Sequence, residues 1–319
     1  MTTAVGLNYP TSCESSRPTP CPGRHRLNTC GFYLTIQTSN LIYRLEPALS
    51  GDSEPMRIVR DDLRPVIIIV LIAVLLAGCS SLSRKPIEPE ELAAMAEARI
   101  VLLALGSQNE KLANFKGIGK IKVLQNGKKK INERIAWIGS ETVKLSIVVL
   151  ISGHPAVKMA SDGKWFYYYE ARQGKPIYKK RPATDATLQR IVSIPIKISD
   201  IIQLLAGRTP VREHHAAVLH RQDSGPGYVL TLKKRWGGIV EKVFLGVDKA
   251  QVHQIEFFNP SGALSYCARF DEIQIINGYQ VPSKLSISND DGVDFQLEIL
   301  RYLTDVPVSS SMFVLNPPD

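Results

Sequence analysis

The chain has 319 residues, of which 44% are apolar and 22% are charged, and 39 Lys and Arg against 30 Asp and Glu give a net charge of +9. This composition excludes a collagen-like, a disordered or a disulfide-scaffold protein, and also a polytopic membrane protein. The apolar residues are unevenly distributed, because residues 66–77 form one unbroken apolar block (VIIIVLIAVLLA).

Residues 1–55, which precede this block and its basic flank, are rich in Pro, Ser and Thr and show no sustained hydrophobic period. We interpret them as a disordered extension or a mis-assigned start. Cys13, Cys21 and Cys30 lie in this stretch without a CxxC pair or a histidine at ligand spacing, so we expect no metal site there.

The apolar block is shorter than the roughly 20 residues that a membrane-spanning helix needs. It is typical of the apolar region of a signal peptide, because Met56 and three arginines at 57–64 precede it. Leu76-Ala77-Gly78-Cys79 follows and resembles the lipobox of bacterial lipoproteins. That resemblance implies a diacylglycerol on the Cys79 thiol and cleavage before Cys79. An uncleaved short anchor or a buried core helix is the alternative.

These features divide the chain into a leader (1–55), a lipoprotein signal peptide (56–78), a lipidated cysteine with its tether (79–89) and one domain (90–319). The domain is expected to open with a helix from Glu90 to about Leu105. Its apolar residues return at helical spacing: Leu92, Met95, Ala96, Ile100 and Leu103.

From Phe115 the hydrophobic period changes to two, which predicts a meander of antiparallel strands with Asn126-Gly127 and Asp162-Gly163 at turns. Two short helices are expected next, one over 184–192 and one over 200–206 that Ser199 caps and Gly207 ends. Six further strands are predicted at about 228–235, 239–247, 251–258, 263–274, 279–288 and 293–303.

These elements predict a mainly β fold: a single curved antiparallel sheet of about eleven strands that forms an unclosed β-barrel. The N-terminal helix and the mid-chain helical insert would cover it. A sheet of this size must curl or close, and a barrel that its own side chains do not fill is typical of a hydrophobic ligand cavity. The cavity is predicted to be lined by Phe115, Ile121, Val123, Ile135, Trp137, Leu145, Ile147 and Val149, with Ile201, Leu204 and Leu205 as its lid. The alternative is that these are ordinary core residues.

No enzyme is predicted, and therefore no catalytic residue and no cofactor. The sequence lacks a serine nucleophile elbow, an HExxH motif and a phosphate-binding loop. His214, His215 and His220 lie in a polar connection without ligand partners at metal spacing, which favours solvated loop histidines. No nucleic-acid-binding motif accompanies the basic clusters.

Three stretches carry a family resemblance: 112–122 leading through a hairpin to Trp137, 194–207, and more weakly 313–317 with the late strands. The chain resembles the LolA/LolB lipoprotein-localisation fold, and within it most closely the LolB branch. The resemblance implies an outer-membrane lipoprotein facing the periplasm, whose half-barrel receives the acyl chains of lipoproteins from a LolA-like carrier.

The resemblance also implies a membrane-delivery loop with an apolar tip. The corresponding stretch, 150–156, offers Leu150 and Ile151 but is polar at Ser152 and His154. We expect a monomer that is attached to the membrane through the lipid on Cys79. The alternatives are a lipoprotein that binds another lipid, or a protein-interaction scaffold without a ligand cavity.

Overall fold

The computed structural model describes residues 89–141, 143–223 and 225–318, so the predicted leader, signal peptide and Cys79 lie outside the described residues. Helix α1 (Pro89–Ser107) comes first, followed by six strands: β1 (Asn114–Gln125), β2 (Lys128–Ser140), β3 (Lys144–Ile151), β4 (His154–Ser161), β5 (Trp165–Glu170) and β6 (Ile177–Pro182). Helices α2 (Asp185–Val192) and α3 (Ile198–Leu205) form the insert. Seven strands follow: β7 (Ala216–Arg221), β8 (Tyr228–Lys233), β9 (Ile239–Leu245), β10 (Val252–Phe258), β11 (Leu264–Ile276), β12 (Tyr279–Ser288) and β13 (Val293–Thr304).

Within the described ranges, no helix has both the length and the apolar character needed to cross a membrane.

The strands form one antiparallel, unclosed sheet in the order β6-β5-β4-β3-β2-β1-β13-β12-β11-β10-β9-β8-β7. The first and last strands of the sequence therefore pair in the middle of the sheet, and β6 and β7 are its two borders.

The predicted mainly β, unclosed fold is confirmed. The described part has thirteen strands rather than about eleven, and the two that the sequence pattern missed are these borders. A border strand pairs on one side only and often carries charges and proline, as β6 does (IYKKRP).

Six turns lie at the same end of the strands, which we call the hairpin end. They join β1 to β2, β3 to β4, β5 to β6, β8 to β9, β10 to β11 and β12 to β13, as the antiparallel order requires. Helices α2 and α3 pack on one face of the sheet, which we call the inner face; the other is the outer face. A short 3-10 turn, Ser310–Phe313, lies against β3, and the Tyr178 hydroxyl on β6 donates to the Leu315 carbonyl at 2.9 Å.

The sheet curls around α3. This helix has eight residues and is about 12 Å long, whereas β3 and β11 lie five strand positions apart, or about 24 Å in a flat sheet. Yet α3 contacts β3, and on β11 the Tyr266 hydroxyl donates to Asp200 of α3 at 2.7 Å. Between them, on β13, the Tyr302 hydroxyl donates to the Leu205 carbonyl at 3.0 Å. One short helix therefore contacts two strands, β3 and β11, that would be too far apart in a flat sheet.

The predicted packing face of α1 is wrong. Its buried residues are Ala98, Val101 and Leu105, which face the core beside β7. Among the predicted residues, Ile100 and Leu103 are 68% and 69% exposed. Because the helix is apolar nearly all round, its sequence pattern does not select one face.

The predicted N-cap of α3 is also wrong. The helix begins at Ile198 with Lys197 as N-cap, and the Asp200 carboxylate accepts the Lys197 N–H at 3.3 Å. Its predicted end is confirmed: Gly207 has φ +68°, and a Cβ there would overlap the Gln280 carbonyl oxygen. Only glycine fits this turn without strain.

Candidate functional site

All eight predicted cavity residues lie on the inner face. On neighbouring strands, Val123 is opposite Ile131, Trp137 is opposite Ile147, and Ile135 is opposite Val149, so their side chains point the same way. The eight do not share one environment, however. They divide into a buried zone (Phe115, Ile135, Trp137 and Leu145) and a half-buried zone (Ile121, Val123, Ile147 and Val149).

The buried zone is packed core beneath α3. The Trp137 ring lies over Gly117 and the Phe115 ring over Gly139, each glycine being the cross-strand partner. Phe115 also stacks on Tyr302 with ring centroids 5.6 Å apart. The Trp137 indole N–H has no hydrogen-bond partner among the described residues. In this zone the side chains fill the space, as the alternative interpretation of the sequence expected.

The half-buried zone continues across neighbouring strands as a contiguous apolar surface that we call the inner strip. Val123 is opposite Phe295, which is opposite Ile287, and Ile147 is opposite Met159. The strip comprises Ile121, Val123, Ile147, Val149, Val157, Met159, Ile287, Phe295 and Leu297, all half-buried. It occupies the part of the inner face nearest the hairpin end. An apolar surface of this extent that stays partly exposed on a concave sheet is suited to an apolar ligand.

Helix α2 lies beside the inner strip. The sequence predicted it as part of the covering helical insert, but the lid residues were assigned to α3 alone. Its side chains Ile191 and Val192 are half-buried against the core, and Leu188 alone is fully buried. At the hairpin end, the Asn289 amide donates to the Ser193 carbonyl at 3.1 Å. The 3.6-residue spacing of these apolar side chains in the sequence was the signal that could have identified α2 as a lid.

The predicted lid residues of α3 are largely buried: Leu204 is 0% and Leu205 4% exposed, and Ile201 is half-buried. The end of this helix is fixed by hydrogen bonds. The Asn109 side chain donates to the Ala206 carbonyl at 2.8 Å. The Arg208 guanidinium donates to the carbonyls of Asn109, Glu110 and Leu112. Helix α3 is thus a fixed wall of the site, whereas α2 has fewer anchoring contacts within the described ranges.

A buried polar network joins the start of α3 to the sheet. The Arg212 guanidinium donates to both oxygens of Asp200, at 2.9 and 2.6 Å, and to the Tyr266 hydroxyl at 3.2 Å. Its charge lies 4.4 Å from the centroid of the Phe257 ring. Asp200 is 1% exposed, so this bidentate pair compensates a carboxylate that would otherwise be buried without a partner.

Glu241 on β9 completes the network. Its Oε2 accepts the Arg212 backbone N–H at 2.8 Å, while its Oε1 has no partner among the described residues. Burial raises the pKa of Glu241 to about 8, against the opposing effects of the Arg212 backbone hydrogen bond and charge. The carboxyl therefore holds its proton at neutral pH, and the sequence pattern gave no sign of it.

The predicted delivery loop is a tight hairpin. Strands β3 and β4 are joined by Ser152-Gly153, with φ +51° and +84°, as in a two-residue turn. Ile151 is 49% exposed and Leu150 is half-buried. Both side chains lie at the hairpin end, near the inner strip.

No group of three or more His, Cys, Asp or Glu side chains in the described ranges is arranged to hold a metal ion. On the outer face, a groove of about 680 Å³ is lined mainly by polar and charged side chains, among them Lys120, Lys122 and Lys284. None of the predicted cavity residues lines this groove.

No family model matches the chain. A comparison with curated proteins also found no match. Solved structures with a similar chain path include the following three. A DUF1329 family protein from Desulfovibrio piger is 9% identical, with a TM-score of 0.49 over 69% of this chain and 97% of that one. A LolA superfamily protein from Nitrosomonas europaea is 14% identical, with a TM-score of 0.48 over 68% and 97%. A domain described as an outer membrane lipoprotein-sorting protein domain from Vibrio parahaemolyticus is 11% identical, with a TM-score of 0.41 over 70% and 96%.

Proposed function

We propose that this chain is a lipid-anchored, LolB-like lipoprotein of the outer membrane, facing the periplasm, whose inner strip binds acyl chains. Its role would be to receive or localise lipoproteins delivered by a LolA-like periplasmic carrier. The observation that carries the proposal is the inner strip, a contiguous apolar surface that is only half-buried beside the lightly anchored helix α2. It requires neither a catalytic residue nor a cofactor.

The energetics favour this use of the strip. Burying an acyl chain contributes about 0.8 kcal/mol per methylene group, so a multiply acylated protein does not leave a bilayer unaided. A concave apolar surface replaces the bilayer as the environment of the chains. Transfer from one such surface to another of higher affinity requires no nucleotide.

A sequence motif supports attachment of the chain to the membrane. Leu76-Ala77-Gly78-Cys79 follows an apolar block of signal-peptide length, and nine residues separate Cys79 from the start of α1 at Pro89. Lipidation of Cys79 would place the sheet close to the bilayer, and Ser80, rather than an aspartate, follows the lipidated residue.

Photo-crosslinking tests the binding site. The full chain, reconstituted in vesicles, is incubated with a photoreactive fatty acid, and the labelled peptides are identified by mass spectrometry. We expect label on the inner strip, at Ile147, Val149 or Phe295. Ile121→Glu should abolish this label because it places a charge in the strip. The matched control is Ile118→Glu on the same strand, since Ile118 lies on the outer face and is 44% exposed.

Thermal unfolding of each variant shows whether it is folded. If a folded wild-type protein takes no label on the inner strip, or if Ile118→Glu and Ile121→Glu lose label equally, acyl binding at this site is wrong. The scaffold alternative, a lipoprotein that uses its sheet only to bind a partner, would then be favoured.

A further inference from the structure

The turn between β8 and β9 exposes a tryptophan in a basic setting. Trp236 is 91% exposed, more than any other exposed large apolar side chain in the described ranges. Lys233, Lys234 and Arg235 precede it directly, and Gly237-Gly238 follow. We call residues 233–238 the tryptophan hairpin.

Backbone hydrogen bonds define the shape of this turn. The Lys234 N–H donates to the Gly238 carbonyl at 2.8 Å, and the Gly237 N–H donates to the Lys234 carbonyl at 2.9 Å. Gly237 adopts φ +82°, which glycine permits without strain. A Cβ added at either glycine would meet no atom within 4 Å. The indole therefore projects from an ordered turn into open space.

The charged side chains within the tryptophan hairpin are all positive. Arg235 lies 5.9 Å from the Trp236 ring centroid, and in the described part of the chain no ion pair involves any of the three basic residues. The nearest acid along β9, Glu241, is buried and accepts the Arg212 N–H. An exposed indole beside uncompensated cations matches the chemistry of an anionic bilayer surface. Tryptophan favours the headgroup level, and each nearby Lys or Arg adds an attraction to anionic lipid.

We propose that the tryptophan hairpin binds the surface of a bilayer that contains anionic lipid, with the Trp236 indole among the headgroups and the three cations on the phosphates. This is a second membrane contact, made by the folded domain itself. It differs from the predicted contact through Leu150 and Ile151, which uses another hairpin.

The position of the hairpin fits this contact. It lies at the hairpin end, as does Ile151, and the inner strip is the part of the inner face nearest that end. Helix α1 packs against β7, the strand next to β8. The nine residues between Cys79 and Pro89 span at most about 35 Å. A lipid on Cys79 and the hairpin in the same bilayer would turn the inner strip towards it. That last consequence rests on the proposed function, whereas the hairpin contact does not.

Fluorescence quenching tests the contact. The full chain is reconstituted in phosphatidylcholine vesicles with or without phosphatidylglycerol, using lipids brominated on the acyl chain near the headgroup. Trp236→Phe gives the emission of Trp137 and Trp165 alone, so subtraction isolates Trp236. We expect Trp236 to be quenched in vesicles with phosphatidylglycerol, less in phosphatidylcholine alone, and progressively less as salt is raised.

The double substitution Lys234→Gln and Arg235→Gln keeps the indole and should remove the dependence on phosphatidylglycerol. An unquenched Trp236 in anionic vesicles, as would be seen if the hairpin instead bound an acidic protein, would overturn the proposal, and so would quenching that the double substitution leaves unchanged. The measurement does not depend on acyl binding: quenching of Trp236 without fatty-acid label on the inner strip would uphold the hairpin contact and reject the acyl-binding function.

Discussion

Trp137 on β2 lies over Gly117, its cross-strand partner on β1, so closely that a Cβ on Gly117 would overlap the indole. The same arrangement recurs two positions along, where Phe115 on β1 lies over Gly139 on β2. Each glycine provides the space that a large ring on the next strand fills. This packing of rings over glycines forms the buried zone. The inner strip is the less buried part of the inner face.

Gly117→Ala should destabilise the protein by about 1–3 kcal/mol, because the methyl group forces the Trp137 ring from its position. Chemical denaturation followed by circular dichroism measures the change. Gly106→Ala is the control, since a Cβ there meets nothing within 4 Å and alanine favours the helix. Equal stability of Gly117→Ala and the wild type would contradict the packing described for Trp137.

Arg208→Lys should also lower stability, by about 1.5–3 kcal/mol. The guanidinium donates to the carbonyls of Asn109, Glu110 and Leu112 and so joins the end of α3 to the loop after α1. A lysine keeps the charge but not the planar fork. Arg190→Lys on the exposed side of α2 is the matched control and should be neutral within error in the same denaturation experiment.

The buried carboxyl of Glu241 predicts a pH dependence. Burial raises its pKa to about 8 from the ordinary 4.5, so between these values the unfolded chain releases a proton that the folded protein retains. The contribution of Glu241 to stability therefore falls as pH rises through this window. The unfolding free energy of the wild type minus that of Glu241→Gln should decline from about pH 4.5 to about pH 8. A difference that is constant with pH would show that the carboxyl is not buried as described.

Cys79→Ala should abolish incorporation of labelled palmitate, because only the thiol forms the thioether that precedes acylation. Cys30→Ala, in the leader, should retain the label. Membrane fractionation should place the wild type in the outer membrane, and Ser80→Asp should shift it to the inner membrane. Label retained in Cys79→Ala would disprove the lipidation site.

The sequence predicted most of the sheet because many interior strands alternate apolar and polar residues and most turns carry glycine, as at Asn277-Gly278. It missed β6 and β7, because each of these border strands pairs with one neighbouring strand only. It also assigned the wrong face to α1, since an apolar helix pattern does not reveal which side meets a border strand.

The candidate site was predicted in part. Strand alternation placed all eight cavity residues on one face, yet it did not separate Trp137, which is packed, from Val149, which is half-buried. The difference in burial depends on how far α3 extends over the inner face and on which glycines have an aromatic ring packed over them. Glu241 could not be recognised, because the Arg212 backbone N–H that it binds is distant from it in the sequence.

The pairing of β1 with β13 has a consequence for how the protein folds. Apart from that pair, every neighbour in the sheet is also a neighbour in the sequence, so two meanders, β1–β6 and β7–β13, form from short-range hairpins. Pairing β1 with β13 joins the two meanders and brings together strands from the two ends of the domain. Such long-range pairing is slow because it costs much chain entropy. A growing chain cannot complete this sheet until its last strand, β13, is available to pair with β1.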